Sequence, residues 1–235
     1  MSRIAVVGLG LALLAACGGS EPRAKTPEQA EPEARHHDGP LPSVSGEIGA
    51  LDEDKVTKTF MQSVKDLEGC LDQGAKRVEF IGGAVAFYLK IDQHGRVAHA
   101  HLEQSSIGDR ETEKCMLAAL SKRAWPAPVG GEMGIARKGF DFDPPNDVRA
   151  PTEWPPERAS SALDGKSAEI KKCKSSAGGS FKATLYVTTT GSVLAAGVAP
   201  PDEQGESAVD CLVEVLERTK FPSPGSWPAK VQTEL

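Results

Sequence analysis

Five cysteines and five histidines carry most of the chemistry available to this 235-residue chain. Cys17, Cys70, Cys115, Cys173 and Cys211 are an odd set. Thiols outside the cytoplasm usually pair, so one of them needs a separate role. None stands in the CxxC spacing that lowers a thiol pKa, so a redox-active pair is not expected. His36 and His37 sit on a proline-rich stretch without a third ligand. His94, His99 and His101 fall close together, and imidazoles in such a group could bind zinc or copper. No GxSxG, HExxH or phosphate-cradling glycine loop occurs, which points to a non-catalytic protein without a cofactor. With 33 acidic against 27 basic residues and a net charge of -6, nucleic acid is not an expected partner, since its binders concentrate Lys and Arg.

Arg3, the apolar run from Ile4 to Leu14 and the small residues before Cys17 have the form of a secretory signal. The run is shorter than the roughly 20 residues that span a bilayer. Leu14, Ala15, Ala16 and Cys17 resemble the bacterial lipobox. That resemblance implies a chain cleaved before Cys17 and acylated on it, with the membrane as a partner through the N-terminal lipid. Gly18, where some lipoproteins carry aspartate, implies by the same resemblance an outer-membrane location, facing the periplasm. Residues 17–46 then form a tether. Pro22, Pro27, Pro32, Pro40 and Pro42 lie among charged and small residues, which bury too little surface to offset ordering entropy.

The rest of the chain contains an internal repeat. A shift of 96 positions lays Gly82 and Gly83 on Gly178 and Gly179, Gly95 on Gly191, Cys115 on Cys211, Leu120 on Leu216, Trp125 on Phe221 and Pro126 on Pro222. In the first copy Val56, Phe60, Val64, Leu67 and Leu71 form the stripe of a helix opened by Asp52, Glu53 and Asp54. Val85, Phe87, Leu89 and Ile91 alternate with Ala86, Tyr88 and Lys90 as on a half-buried strand. Asp92 to Gly95 makes a turn, a second strand covers about 96–103, a second helix follows Asp109 and stops before Pro126, and a last strand runs over about 133–142. The fold class is α+β, with two modules of helix, strand, strand, helix, strand, each carrying helices on one face of an antiparallel sheet. The expected divisions are 1–16 signal peptide, 17–46 lipidated cysteine and tether, 47–142 first module, 143–160 proline-rich linker and 161–235 second, shortened module.

The stretch "GGAVAFYLKIDQHGRV", the "KC" helix and "WPAPVGGEM" resemble the AgmX/PglI C-terminal domain family, a branch similar to the TonB C-terminal domain. The resemblance implies this same element order, a place in gliding or envelope machinery, and in some members the binding of an extended peptide along a sheet edge. No inner-membrane helix accompanies it here, so energy transduction is not implied.

Each copy places one cysteine near the end of its first helix and one in its second helix. Of the three possible pairings, the repeat selects Cys70 with Cys115 and Cys173 with Cys211. His99 and His101 point to one face of their strand, with His94 at the adjacent turn, and the second copy has Ala195 and Gly197 in the matching places. That leaves two readings for the histidines, a metal site or a solvated open sheet face. The functional expectation is a lipid-anchored envelope scaffold that pairs a peptide or protein along a sheet edge, with metal handling by His94, His99 and His101 as the alternative. The longer last strand, Met133–Phe142, makes the first copy the better edge.

Overall fold

Alternating apolar residues and evenly spaced helical stripes build two sheets and five helices in the computed structural model, which describes residues 48–175 and 177–235. The stretch expected as a signal peptide, Cys17 and the expected tether over 17–46 lie outside these residues.

In the first half, α1 (Glu53–Gly74) starts where the Asp52 carboxylate accepts a bond from the Lys55 amide at 3.0 Å. It buries Val56, Phe60, Leu67, Cys70 and Leu71 at helical spacing. β1 (Gly83–Asp92) and β2 (Val97–Ser105) follow, then α2 (Arg110–Ser121), capped by Asp109, and β3 (Met133–Phe142). The sheet order is β2-β1-β3, with both pairings antiparallel. Phe87, Leu89 and Ile91 are fully buried in one cluster with Phe60, Leu67, Met116 and Leu120 of the helices.

The second half repeats the order with changes. β4 (Thr152–Trp154) precedes α3 (Glu157–Asp164) and α4 (Ser167–Cys173), which together replace the single first helix. β5 (Lys182–Val187), β6 (Val193–Ala199), α5 (Glu206–Glu217) and β7 (Ala229–Glu234) complete it. Its sheet has four strands in the order β4-β7-β5-β6, and β4 runs parallel to β7. The expectation of a purely antiparallel sheet is therefore corrected for this half. The segment expected as linker, 143–160, contains both β4 and the start of α3. Proline density marked it as irregular, yet Trp154 (7% exposed) and Ala159 (0%) dock into the second core and Val148 packs against the first.

One device recurs in both halves. Gly95 (φ 73°) and Gly191 (φ 81°) each close the turn between two strands in a left-handed conformation that side chains rarely adopt. Gly95 O accepts the Trp125 amide at 2.9 Å, and Gly191 O accepts the Phe221 amide at 2.8 Å. A Cβ at either glycine would run into the carbonyl of that same aromatic residue.

The halves share a core. Tyr186, Ala195 and Ala199, on the sheet face turned away from α5, join the buried cluster of the first half. Thr184 Oγ1 donates to Ser105 O at 3.1 Å, Lys230 Nζ donates to Gly82 O at 2.9 Å, and the Tyr186 ring lies 5.4 Å from Phe80. Arg110 at the start of α2 reaches Glu206 at 2.7 Å and Asp210 at 2.8 Å on α5. The reading of a solvated open face is thus corrected for His101, which is only 3% exposed, while Arg137 and Gly139 on the same face stay exposed; the matching face of the second sheet lies under the first half.

Candidate functional site

A strand at the end of a sheet has backbone groups on its outer side that need partners, and both halves present such a strand. In the second half β4 lies along β7, pairing Thr152 with Ala229, Glu153 with Lys230 and Trp154 with Val231. In the first half the corresponding segment makes one parallel bridge, Ile48 to Met133, and then turns away to pair Ala50 with Val129. Gly49 N donates to Met133 O at 2.6 Å. Gly49 and Gly131 meet so closely that a Cβ on either would strike the other's backbone. This crossing sends residues 50–53 away from β3. Among the described residues no strand pairs with its outer edge beyond Met133.

The separation leaves a groove of ≈490 Å³ between Ile48–Val56 on one wall and Ile135–Lys138 on the other. Ile48 (57% exposed) lines it as a bare apolar side chain, and Val129 (76% exposed), the bridge partner of Ala50, is another. Lys138 has no salt bridge among the described residues, whereas Arg137 pairs with Glu103 at 2.8 Å and lies 4.7 Å from the Tyr88 ring. The groove offers backbone donors and acceptors, apolar walls and a cation. That is the chemistry of an extended chain's binding site.

His99 and His101 do come together, with Nε2 of the first 3.1 Å from Nδ1 of the second. His101 stacks 4.6 Å from Tyr88, its register partner on β1. Glu203, from the loop before α5, reaches Lys90 at 3.4 Å and His99 at 3.8 Å. Burial, and then the neighbouring His99, push the His101 pKa below its ordinary value. His94 instead belongs to the turn, where its amide donates to Asp92 Oδ1 at 2.8 Å. Among the described residues no group of three or more His, Cys, Asp or Glu could hold a metal ion. The histidine pair is a packed part of the contact between the halves, and nothing in its geometry favours the metal-handling alternative.

The cysteines pair as the repeat implied: Cys70 with Cys115 and Cys173 with Cys211, with Cα separations of 5.7 and 5.6 Å. Each bridge ties the end of a first helix to the second helix over the same sheet face.

Three buried charged residues escaped the sequence reading. Glu113 on α2 is fully buried, accepts a bond from Ser105 Oγ at 2.6 Å and leaves Oε2 without a partner. Burial pushes its pKa up. Lys230 is 8% exposed, and burial pulls its pKa down. Arg110 is 8% exposed within its acidic pair. The available signal was opposite Glu113: the small residues Ala195, Gly197 and Ala199 all face one way on β6, which marks a face that another surface covers closely.

Comparison with protein-family models, curated proteins and solved structures found no match.

Proposed function

We propose that the protein is a lipid-anchored, periplasm-facing envelope lipoprotein. In this reading it is a non-catalytic scaffold in a motility, secretion or cell-wall assembly, and its two modules are relatives of the TonB C-terminal domain. Acylated Cys17 holds it to the outer membrane, and the outer edge of β3 accepts an extended segment of an envelope partner. The observation that carries the binding assignment is the contrast between the two end strands: β7 is paired by β4, while β3 faces an open groove. A strand added to β3 would satisfy its outer backbone groups as β4 satisfies those of β7.

The halves share a core, so the test uses the full-length chain. A photo-crosslinking residue replacing Lys138 in the groove should give one dominant adduct in intact cells, and the same residue replacing the exposed Glu214 on α5 should not. Ile135→Asp, which puts a charge on the groove wall, should remove that adduct while leaving thermal unfolding unchanged. Equal adducts from both positions, or an adduct that survives Ile135→Asp, would overturn the edge assignment. For the anchor, wild-type protein should take up labelled palmitate and fractionate with membranes, and Cys17→Ser should do neither. Label on both proteins rejects acylation at Cys17.

A further inference from the structure

The second half has a shorter loop than the first ahead of its first repeated strand, and a cavity lies at that point. Helix positions match under a shift of 103, which places Phe60 on Leu163, Leu67 on Ile170 and Cys70 on Cys173, whereas the strands match under 96. The second half therefore lacks the equivalent of residues 75–81, a loss of 103 − 96 = 7. In the first half that segment carries Val78, Phe80 and Ile81, which are 0%, 4% and 0% exposed. At the matching point the second half has an open cavity of ≈970 Å³, bounded by Leu163, Ile170, Ala177, Gly178 and Leu235. Lys171, Lys172 and Lys174 stand on its rim.

We propose that this cavity binds an acyl chain ending in an anionic head group, taken as a free medium-chain carboxylate. Its size lies within the range of about 300–1,000 Å³ typical of small-molecule sites, and its lining is mainly apolar, as such sites require. An apolar chain there packs over Leu163 and Ile170, each already only 8% exposed, and covers the wall that is still open to water at Ala168 and Leu235. The rim gives the head group its sign. Lys171 and Lys172 are exposed and have no salt bridge among the described residues, so both are available to an anion. Lys174 is already committed, donating to Leu235 O at 2.8 Å with its ammonium 5.3 Å from the Phe181 ring. Asp164 and Glu234 also reach the lining, which confines an anionic head to the lysine side. The site is separate from the β3 groove and does not depend on the edge reading.

Calorimetric titration of the full-length protein with dodecanoate, kept below its micelle concentration, should give saturable binding of one molecule per chain. Dodecanol, with the same tail and no charge, should bind about tenfold more weakly. Lys171→Glu with Lys172→Glu should weaken dodecanoate by about three- to tenfold, since each exposed charge contact contributes only about 0.2–1 kcal/mol. Ala168→Trp, at an exposed position on the cavity wall, should abolish binding by filling the space. Lys58→Glu on α1 should leave affinity unchanged, and unchanged thermal unfolding of each variant shows that the fold persists. Equal binding of dodecanol, or full affinity in Ala168→Trp, would overturn the proposal. Binding to phosphatidylglycerol vesicles without binding to free dodecanoate would also overturn it, by assigning the lysines to a membrane surface.

Discussion

Through the 96-residue shift, Tyr88, His99 and His101 on the first sheet correspond to Thr184, Ala195 and Gly197 on the second. At these three positions the same face thus carries aromatic and imidazole rings in one half and small side chains in the other, although Tyr186 also stands on the second face, and the structure supplies the reason. The second face lies under the first half, where Glu113 comes so close that a Cβ on Gly197 would collide with its carboxylate. The first face is only partly covered, by the loop holding Glu203. The repeated order of elements presents two versions of one face, and one of them is buried against the other half. Where that covered face meets Glu113 it carries Gly197.

The largest expected effects come from the disulfides, and they sharpen the comparison because the two loops are nearly equal. Separations of 45 and 38 residues give about 4 kcal/mol for each bridge on the loop-entropy model. Their local consequences should differ. α1 is a 22-residue helix held by many buried side chains, whereas the seven-residue α4 buries Ile170 alone. Cys70→Ala with Cys115→Ala should lower unfolding free energy by that amount and leave α1 amides protected. Cys173→Ala with Cys211→Ala should cost a similar amount and also release α4, seen as faster hydrogen exchange over residues 168–173. Equal protection of both helices would mean that the broken helix is no weaker than the whole one.

Exchanging a residue across the repeat is the next largest test. Gly197→His installs the first half's residue on the covered face, where it meets Glu113. Overpacking a close contact costs about 1–3 kcal/mol, and the added ring places this case at the upper end. His101→Gly removes a side chain that forms only the margin of the contact and should cost less. A smaller loss for Gly197→His than for His101→Gly, in denaturant unfolding, would show that the second face is not tightly held.

Elements were legible in the sequence wherever periodicity was set by a single local environment. The strand of Val85, Phe87, Leu89 and Ile91, the turn at Asp92 to Gly95 and the helix capped by Asp52 all fall where their patterns place them. So do both disulfides, because the repeat fixed the pairing. β4 was hidden because Thr152, Glu153 and Trp154 sit among prolines and become a strand only by pairing with residues about 80 positions later. The burial of the second sheet face was hidden for a related reason. Thr184, Tyr186 and Ala195 read as ordinary alternating strand residues, and nothing local states that their outer neighbour is another half of the same chain. Of the candidate site, the length of β3 was readable from sequence. The groove beside it was not, since it arises from a backbone crossing at Gly49 and Gly131.

Glu113 makes the contact between halves depend on pH. Its folded pKa is raised by burial above the ordinary carboxyl value of 4.5. Stability linked to it is therefore complete below pH 4.5 and is lost as pH rises through the folded pKa, where a carboxylate must either ionise while buried or expose itself. Glu113→Gln cannot ionise. It should flatten the fall in melting temperature with rising pH, with a gain of about 1–3 kcal/mol over wild type once the pH exceeds the folded pKa. The other ionisable groups facing this contact, Arg110, Asp109, Glu206, Asp210 and Lys230, remain in both proteins, so subtracting the two pH profiles isolates Glu113. Parallel profiles would show that Glu113 reaches water when it ionises.

The smallest expected effect compares the two end strands directly. Thr152 is exposed at the start of β4 and its amide donates to Pro228 O at 2.9 Å, so a proline there removes a bond that ties β4 to β7 without disturbing a buried side chain. Thr152→Pro should cost about 1 kcal/mol, the scale of one net hydrogen bond. The outward amides of β7 from Ala229 to Val231, protected in the parent by β4, should then exchange as quickly as those of β3 beyond Met133. The second half would thereby acquire the kind of free edge that the first half has. If the β3 amides are already as slow as those of β7 in the parent protein, its outer edge is occupied, and the contrast on which the binding assignment rests disappears.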